Sequence, residues 1–263
     1  MMNGQPQSAA PGRVAQAGTV THLASQVVSL LTTRMPQDGA QPREALLDQL
    51  ATAACAGTPQ AFRSLLAEMR RARISLPALA DVYIPEVARR LGALWLEDRM
   101  SWMDVSIGVG RMQGLLREVG ATWIADHAGD TDSGTVLLVI PDREQHTLGA
   151  MVAMSQMRRC GVSVCLRIAP GIEELRALAA VRRFDGIMIS VGTKEKLAEA
   201  GRTVRLVRSA TGSDCPILVG GAVMERVEDP AALTGADFCA NDIGSALEAI
   251  GLKIDVTRVL RRA

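Results

Sequence analysis

The chain has 263 residues, a formal net charge of +1, 48% hydrophobic side chains and only 3% aromatic ones. That length predicts one or two domains, with a core of Leu, Val, Ile, Ala and Met rather than aromatic rings. The near-neutral charge excludes a global basic field for DNA or anionic lipid, and no apolar run reaches the roughly 18 residues of a membrane helix.

The opening MMNGQPQSAAPGR has no basic start followed by an apolar stretch, so no signal peptide is expected. Residues 1–42 read as a flexible region with one short amphipathic helix. In that helix Val20, Leu23, Val27, Leu30 and Leu31 recur at three- and four-residue steps. Residues 43–128 read as an all-helical unit. Leu46, Leu47 and Leu50 form one stripe; Thr58 and Pro59 open a second helix; Pro77 and Pro85 each open a further piece. A long helix then spans about 103–126, with Ile107, Met112, Leu115, Leu116, Val119 and Trp123 as its apolar face. Residues 129–134, Gly-Asp-Thr-Asp-Ser-Gly, form a polar break.

From residue 134 to 252 strands and helices alternate. TVLLVIPD, VSVCLRI, DGIMISVG, CPILVGGAV and ADFCAND read as strands, with helices between and after them. The expected fold is therefore α plus α/β: a helical bundle cap, then a flavodoxin-like, doubly wound, five-stranded parallel sheet. Residues 253–263 form a basic tail, with Arg258, Arg261 and Arg262 too few to read bases. The five cysteines are odd in number and form no Cys-x-x-Cys pair. They predict buried thiols in a reducing cytoplasm rather than a zinc site.

In doubly wound sheets ligands sit beyond the carboxyl ends of the strands. Three segments fall there. The first holds Glu144, Gln145, His146, Thr147, Leu148 and Gly149; the second Ser190, Val191, Gly192 and Thr193; the third Gly220 and Gly221. A loop histidine can ligate a metal through one ring nitrogen when a carboxylate holds the other, and Glu144 stands two residues away. Read alone, His146 is more readily a solvated surface side chain than a ligand. Ser190 either extends the Glu144–His146 chain or caps a helix. Gly220 and Gly221 either leave room for a flat ring or nucleotide, or make a turn.

The order of these segments resembles the cobalamin-binding domain, whose pattern is Asp-x-His-x-x-Gly, then Ser-x-Leu or a relative, then Gly-Gly. The ending GADFCANDIGSALEAI, which contains Asn241, is also similar to that family's closing strand and helix. The resemblance implies that His146 is the lower ligand of cobalt, with Glu144 and Ser190 as its relay. The nucleotide tail would run beside Ser190–Thr193, Gly220 and Gly221. Glu144 stands for the usual Asp and Gly192 for the usual Leu. Residues 80–108 are similar to the helical cap of B12 photoreceptor regulators and corrinoid carriers. There a large side chain shields the upper corrin face, and Trp95 matches that position. An ordinary bundle-core Trp is the other reading. The Glu-His pair of adenosylcobalamin sensors is replaced here by Val105 and Ser106.

Residues 144–149, with the stretch Arg99 to Trp102, resemble the PpaA/AerR group of photosynthesis regulators. That resemblance implies a cytoplasmic, non-enzymatic antirepressor that binds a repressor of the PpsR/CrtJ type and touches DNA only indirectly. The form of cobalamin (hydroxo, methyl or adenosyl) stays open, as does a homo-oligomer. Haem stays open as an alternative cofactor, because some relatives are haem sensors. A corrinoid methyl carrier is the competing function. A mutase subunit would need a TIM-barrel partner domain. Gly221→Val is expected to block cofactor uptake while leaving the fold intact.

Overall fold

The computed structural model describes residues 42–55, 58–126, 134–212 and 214–252. The stripe from Val20 to Leu31, most of the polar break and the basic tail lie outside them.

Helix α1 (Glu44–Cys55) buries Leu46, Leu47, Leu50 and Ala54, the three- and four-residue spacing that puts side chains on one face. Helix α2 (Pro59–Arg71) starts where the Thr58 hydroxyl accepts the Ala61 N–H at 3.2 Å, with Pro59 in the first turn. Ser75 caps α3 (Leu76–Ala78) in the same way. The pieces opened by Pro77 and Pro85 are one continuous rod. A π-helical turn, Leu79–Tyr83, joins α3 to α4 (Ile84–Leu96). Pro85 has no N–H and its ring crowds the carbonyl one turn back. The wider turn, closed by Ile84 N–H to Leu79 O, accommodates it.

Helix α5 (Trp102–Asp126) buries Met112, Leu115, Leu116 and Val119. Ile107 does not share that face and is 42% exposed. At about 100° per residue it lies roughly 130° round the helix from the stripe. The stripe runs instead through Gly108, where a Cβ would stand 2.7 Å from Leu91 Cδ1 and 2.9 Å from Cys55 Sγ. The Trp123 side chain lies outside the described residues.

The α/β part consists of β1 (Thr135–Ile140), α6 (Thr147–Arg159), β2 (Ser163–Ile168), α7 (Ile172–Val181), β3 (Gly186–Ser190), α8 (Leu197–Thr211), β4 (Ile217–Gly220), α9 (Pro230–Thr234), β5 (Phe238–Ala240) and α10 (Ile243–Ala249). The strands pair in parallel in the order β2-β1-β3-β4-β5, as expected for the flavodoxin-like class. The central strands are apolar throughout because helices cover both faces. Strand order reverses at β1 and β3, so their carboxyl ends open a crevice.

Helix α6 belongs to two cores. Ala150 and Met157 pack with the sheet, whereas Leu148 and Val152 are buried among Leu79, Ala80 and Met112 of the helical part. Asp81, in the π-turn, forms an ion pair with Arg159 at the other end of α6, and only 7% of the Arg159 side chain is exposed. Of the thiols, Cys165 is buried, Cys55, Cys160 and Cys215 are half-buried, and Cys239 is exposed at the edge strand, contrary to the expectation of burial. Burial pushes Cys160 and Cys215 up to about 11. Among the described residues no helix is long and apolar enough to cross a membrane.

Candidate functional site

The segment after β1 turns at Arg143, which has a φ of 58°, and brings Glu144 back under the loop. The Glu144 side chain is fully buried, yet it is ionised. Burial raises its pKa. Hydrogen bonds from the His146 ring, the His146 N–H and the Gly192 N–H outweigh that and hold it down at about 2. One oxygen, Oε1, accepts from His146 N and pairs with His146 Nδ1, both at 2.8 Å. The other, Oε2, accepts from Gly192 N at 2.9 Å. A carboxylate so held keeps the proton of a neutral imidazole on Nδ1. No described residue bonds Nε2, and the His146 side chain is 62% exposed.

The ring rests on Gly192. A Cβ there would stand 2.6 Å from His146 Cβ, 2.8 Å from Cγ and 2.9 Å from Nδ1. Leucine, the residue of the resembled pattern, cannot occupy this position while the ring lies as it does. The relay also differs from the expected one. Both Glu144 oxygens are taken by His146 and Gly192, and no hydrogen bond joins Ser190 to Glu144.

Two other expectations change with the packing. Gly221 has a φ of 136°, and a Cβ on it would stand 2.2 Å from Val191 O, while one on Gly220 would stand 3.1 Å from Ala240 O. The chain's own backbone uses the space these glycines leave. Gly221→Val therefore forces apart the segments that follow β3 and β4, contrary to the expectation of an intact fold. Val191 and Leu148 lie in the two cores, Val191 beneath the sheet's carboxyl edge and Leu148 under the helical part. Thr193 donates its hydroxyl to Glu195 in the following turn. Gln145 and Asn241 are exposed at the same edge.

Gly149, three residues past His146, is exposed and has no atom within 4 Å of a built Cβ. Above this loop, Gln113 Nε2 of α5 donates to Thr147 Oγ1 at 2.7 Å. Ser106 and Trp102 lie seven and eleven residues before Gln113. They share its face to within about 20° and sit about 10 and 16 Å back along the axis. Both are exposed, and Gly110, between Ser106 and Gln113, has nothing within 4 Å of a Cβ. Trp95 is 46% exposed and so is not a core residue; Val105, by contrast, packs into the helical core and leaves only Ser106 on the open side. Gln113 was not anticipated from the sequence, although its spacing from Ser106 and Trp102 carried the signal.

Among the described residues no group of three or more His, Cys, Asp or Glu side chains could hold a metal ion. A metal at His146 would have one protein ligand here, the donor set suited to a metal already held in a macrocycle.

No protein-family model matches the chain. It is 37% identical over 188 residues to the 20.5 kDa protein of the bchF-crtJ intergenic region of Rhodobacter capsulatus, covering 72% of this chain and 98% of that protein. The monomethylamine corrinoid protein of Methanosarcina barkeri superposes with a TM-score of 0.58 at 16% identity, over 78% of this chain and 94% of that one, and so shares the fold. The methanol:cobalamin methyltransferase complex MtaBC of the same organism aligns at a TM-score of 0.41 and 16% identity, over 96% of this chain and 98% of that one.

Proposed function

The chain belongs to the family of the 20.5 kDa protein of the bchF-crtJ intergenic region of Rhodobacter capsulatus, and on that basis we propose that it is a cobalamin-binding, light-responsive antirepressor of photosynthesis genes. The observation that carries the cofactor assignment is His146: Nδ1 is tied to a buried, ionised Glu144, and Nε2 lies on a 62% exposed ring. Supporting it, Gly149 and Gly110 leave open space on the two elements that meet at this loop. The fold is also shared with a corrinoid protein.

Bound cobalamin would supply a cobalt ion that accepts a lower nitrogen ligand and carries an upper group that light releases. The residues have separable roles in this reading. Glu144 keeps the proton on Nδ1 and leaves the Nε2 lone pair facing outward. Gly149 admits a broad ligand to the start of α6. Trp95 and Ser106 belong to the upper side, where Ser106 offers no nitrogen ligand. The Gln113–Thr147 bond joins the helical part to the loop, so occupancy of the loop biases the position of the helices. A repressor of the PpsR/CrtJ type is the proposed partner, and its binding needs only a different affinity for the two positions.

The test is reconstitution with hydroxocobalamin, followed by absorption spectroscopy and a repressor pull-down in dark and light. A histidine-ligated corrin spectrum that His146→Ala abolishes supports the cofactor assignment. Equal retention and an identical spectrum in the variant refute it. Repressor capture that ignores both cofactor and light refutes the regulatory role. Transfer of the methyl group from the methylcobalamin-loaded wild-type protein to a thiol, breaking the cobalt–carbon bond, assigns it to the carriers instead.

A further inference from the structure

We propose that Gly192 is the positioning residue of this site, setting the His146 ring through its amide and through its missing side chain. The inference rests on the cofactor reading only for the identity of the metal; the geometry stands without it. Glu144 carries one more methylene than aspartate, so its carboxylate reaches past the ring to the next loop. There the Gly192 amide holds Oε2 at 2.9 Å while Oε1 stays on Nδ1 at 2.8 Å. The extra reach is useful only if the backbone of residue 192 comes close, and it comes close only without a Cβ. Any side chain would stand 2.6 Å from His146 Cβ and push the ring off the carboxylate. Glu144 and Gly192 therefore form one unit, in which length at one position is matched by absence at the other. A main-chain donor does not rotate, unlike a hydroxyl. The ring is thus held ready on the protein before any metal arrives.

Ser190 plays no part in this unit. It is the last residue of β3, where the chain pairs with Gly220, and it makes no bond to Glu144. Ser190 and Gly192, two residues apart, thus differ in role: only Gly192 holds Glu144.

The experiment reads the tautomer of His146 by 15N NMR in the metal-free protein at a pH where the ring is neutral. In parallel, hydroxocobalamin affinity is read by absorption. Wild type should show the proton on Nδ1. Gly192→Ala should move the proton to Nε2 and weaken hydroxocobalamin binding by roughly 10- to 100-fold, the loss usual for an outer partner of a ligand. Glu144→Asp, which adds no side chain at residue 192, should do the same, because aspartate is too short to reach the Gly192 amide and His146 Nδ1 together. Its result decides if Gly192→Ala fails to fold. Ser190→Ala should change neither reading. An Nδ1 proton retained in Gly192→Ala or Glu144→Asp overturns the proposal, as does a tautomer change in Ser190→Ala. If wild type binds no hydroxocobalamin, the cofactor reading falls, while the tautomer still decides the role of Gly192.

Discussion

Gln113 on α5 donates to the hydroxyl of Thr147 at 2.7 Å, one residue beyond His146. It is a side-chain hydrogen bond between the helical part and the loop that carries the histidine. One neutral hydrogen bond is worth about 1 kcal/mol. Gln113→Ala should therefore leave the fold intact. Amide exchange across residues 145–149 should rise about fivefold, the factor that 1 kcal/mol allows. Hydrogen-exchange mass spectrometry reads this directly. Unchanged exchange would show that the helical part is held elsewhere.

The Asp81–Arg159 pair is the obvious elsewhere. Burial raises the Asp81 pKa, while the Arg159 charge and hydrogen bonds from Arg159 and Gln156 lower it; burial wins. Replacing the pair is not in itself costly, but removing one member leaves a charge that is 93% covered. Asp81→Ala should cost about 3 kcal/mol, as broken buried pairs do. Urea denaturation should show a lower midpoint with an unchanged slope. A loss below about 1 kcal/mol would mean that Arg159 finds another partner.

The pH response follows from two shifts of opposite kind. His146 is raised above 6.5, chiefly by its hydrogen bond to Glu144 and against burial, with the nearby Lys196 charge also lowering it. A metal needs the neutral ring. Affinity for hydroxocobalamin should therefore be constant at high pH and fall roughly tenfold per unit below that raised value. Glu144→Gln should move the onset to lower pH, and His146→Ala should show none. For folding the signs differ. The His146 contribution is present below its unfolded value and fades as pH rises through the raised one. The Glu144 contribution is present above about 4.5 and disappears as pH falls towards 2. Acid unfolding in that lower window should weaken in Glu144→Gln.

Two glycines should respond in opposite directions. Gly221 holds a φ of 136° with Val191 O at 2.2 Å from a built Cβ, so Gly221→Ala should destabilise by about 2 kcal/mol or more. Gly149 lies inside α6 with open space around it, so Gly149→Ala should stabilise the protein by about 0.5–1 kcal/mol. The same variant should weaken hydroxocobalamin binding if the ligand covers the start of α6. Thermal melts and absorption titrations of the two variants settle both points.

Much of this was written in local sequence. Continuous apolar runs, period-3.6 patterns and Thr58 before Pro59 determined the strands and helices, because each depends on neighbours within a few residues. The Glu144–His146 pair was also legible, since two residues on one loop can meet without help from the rest of the chain. What the sequence could not determine was which distant backbone comes close. Gly192 lies 48 residues from Glu144, and its amide replaced Ser190 as the partner only because β1 and β3 are neighbours in the sheet. Gly220 and Gly221 read either as room for a ligand or as a turn, and the Ala240 and Val191 carbonyls, respectively, occupy that space. Ile107 reads as core by spacing, but the buried stripe of α5 runs through Gly108 and leaves it exposed. In each case the side chain, or its absence, is chosen by a close approach between elements. Such approaches are set by packing in three dimensions, which local periodicity does not encode.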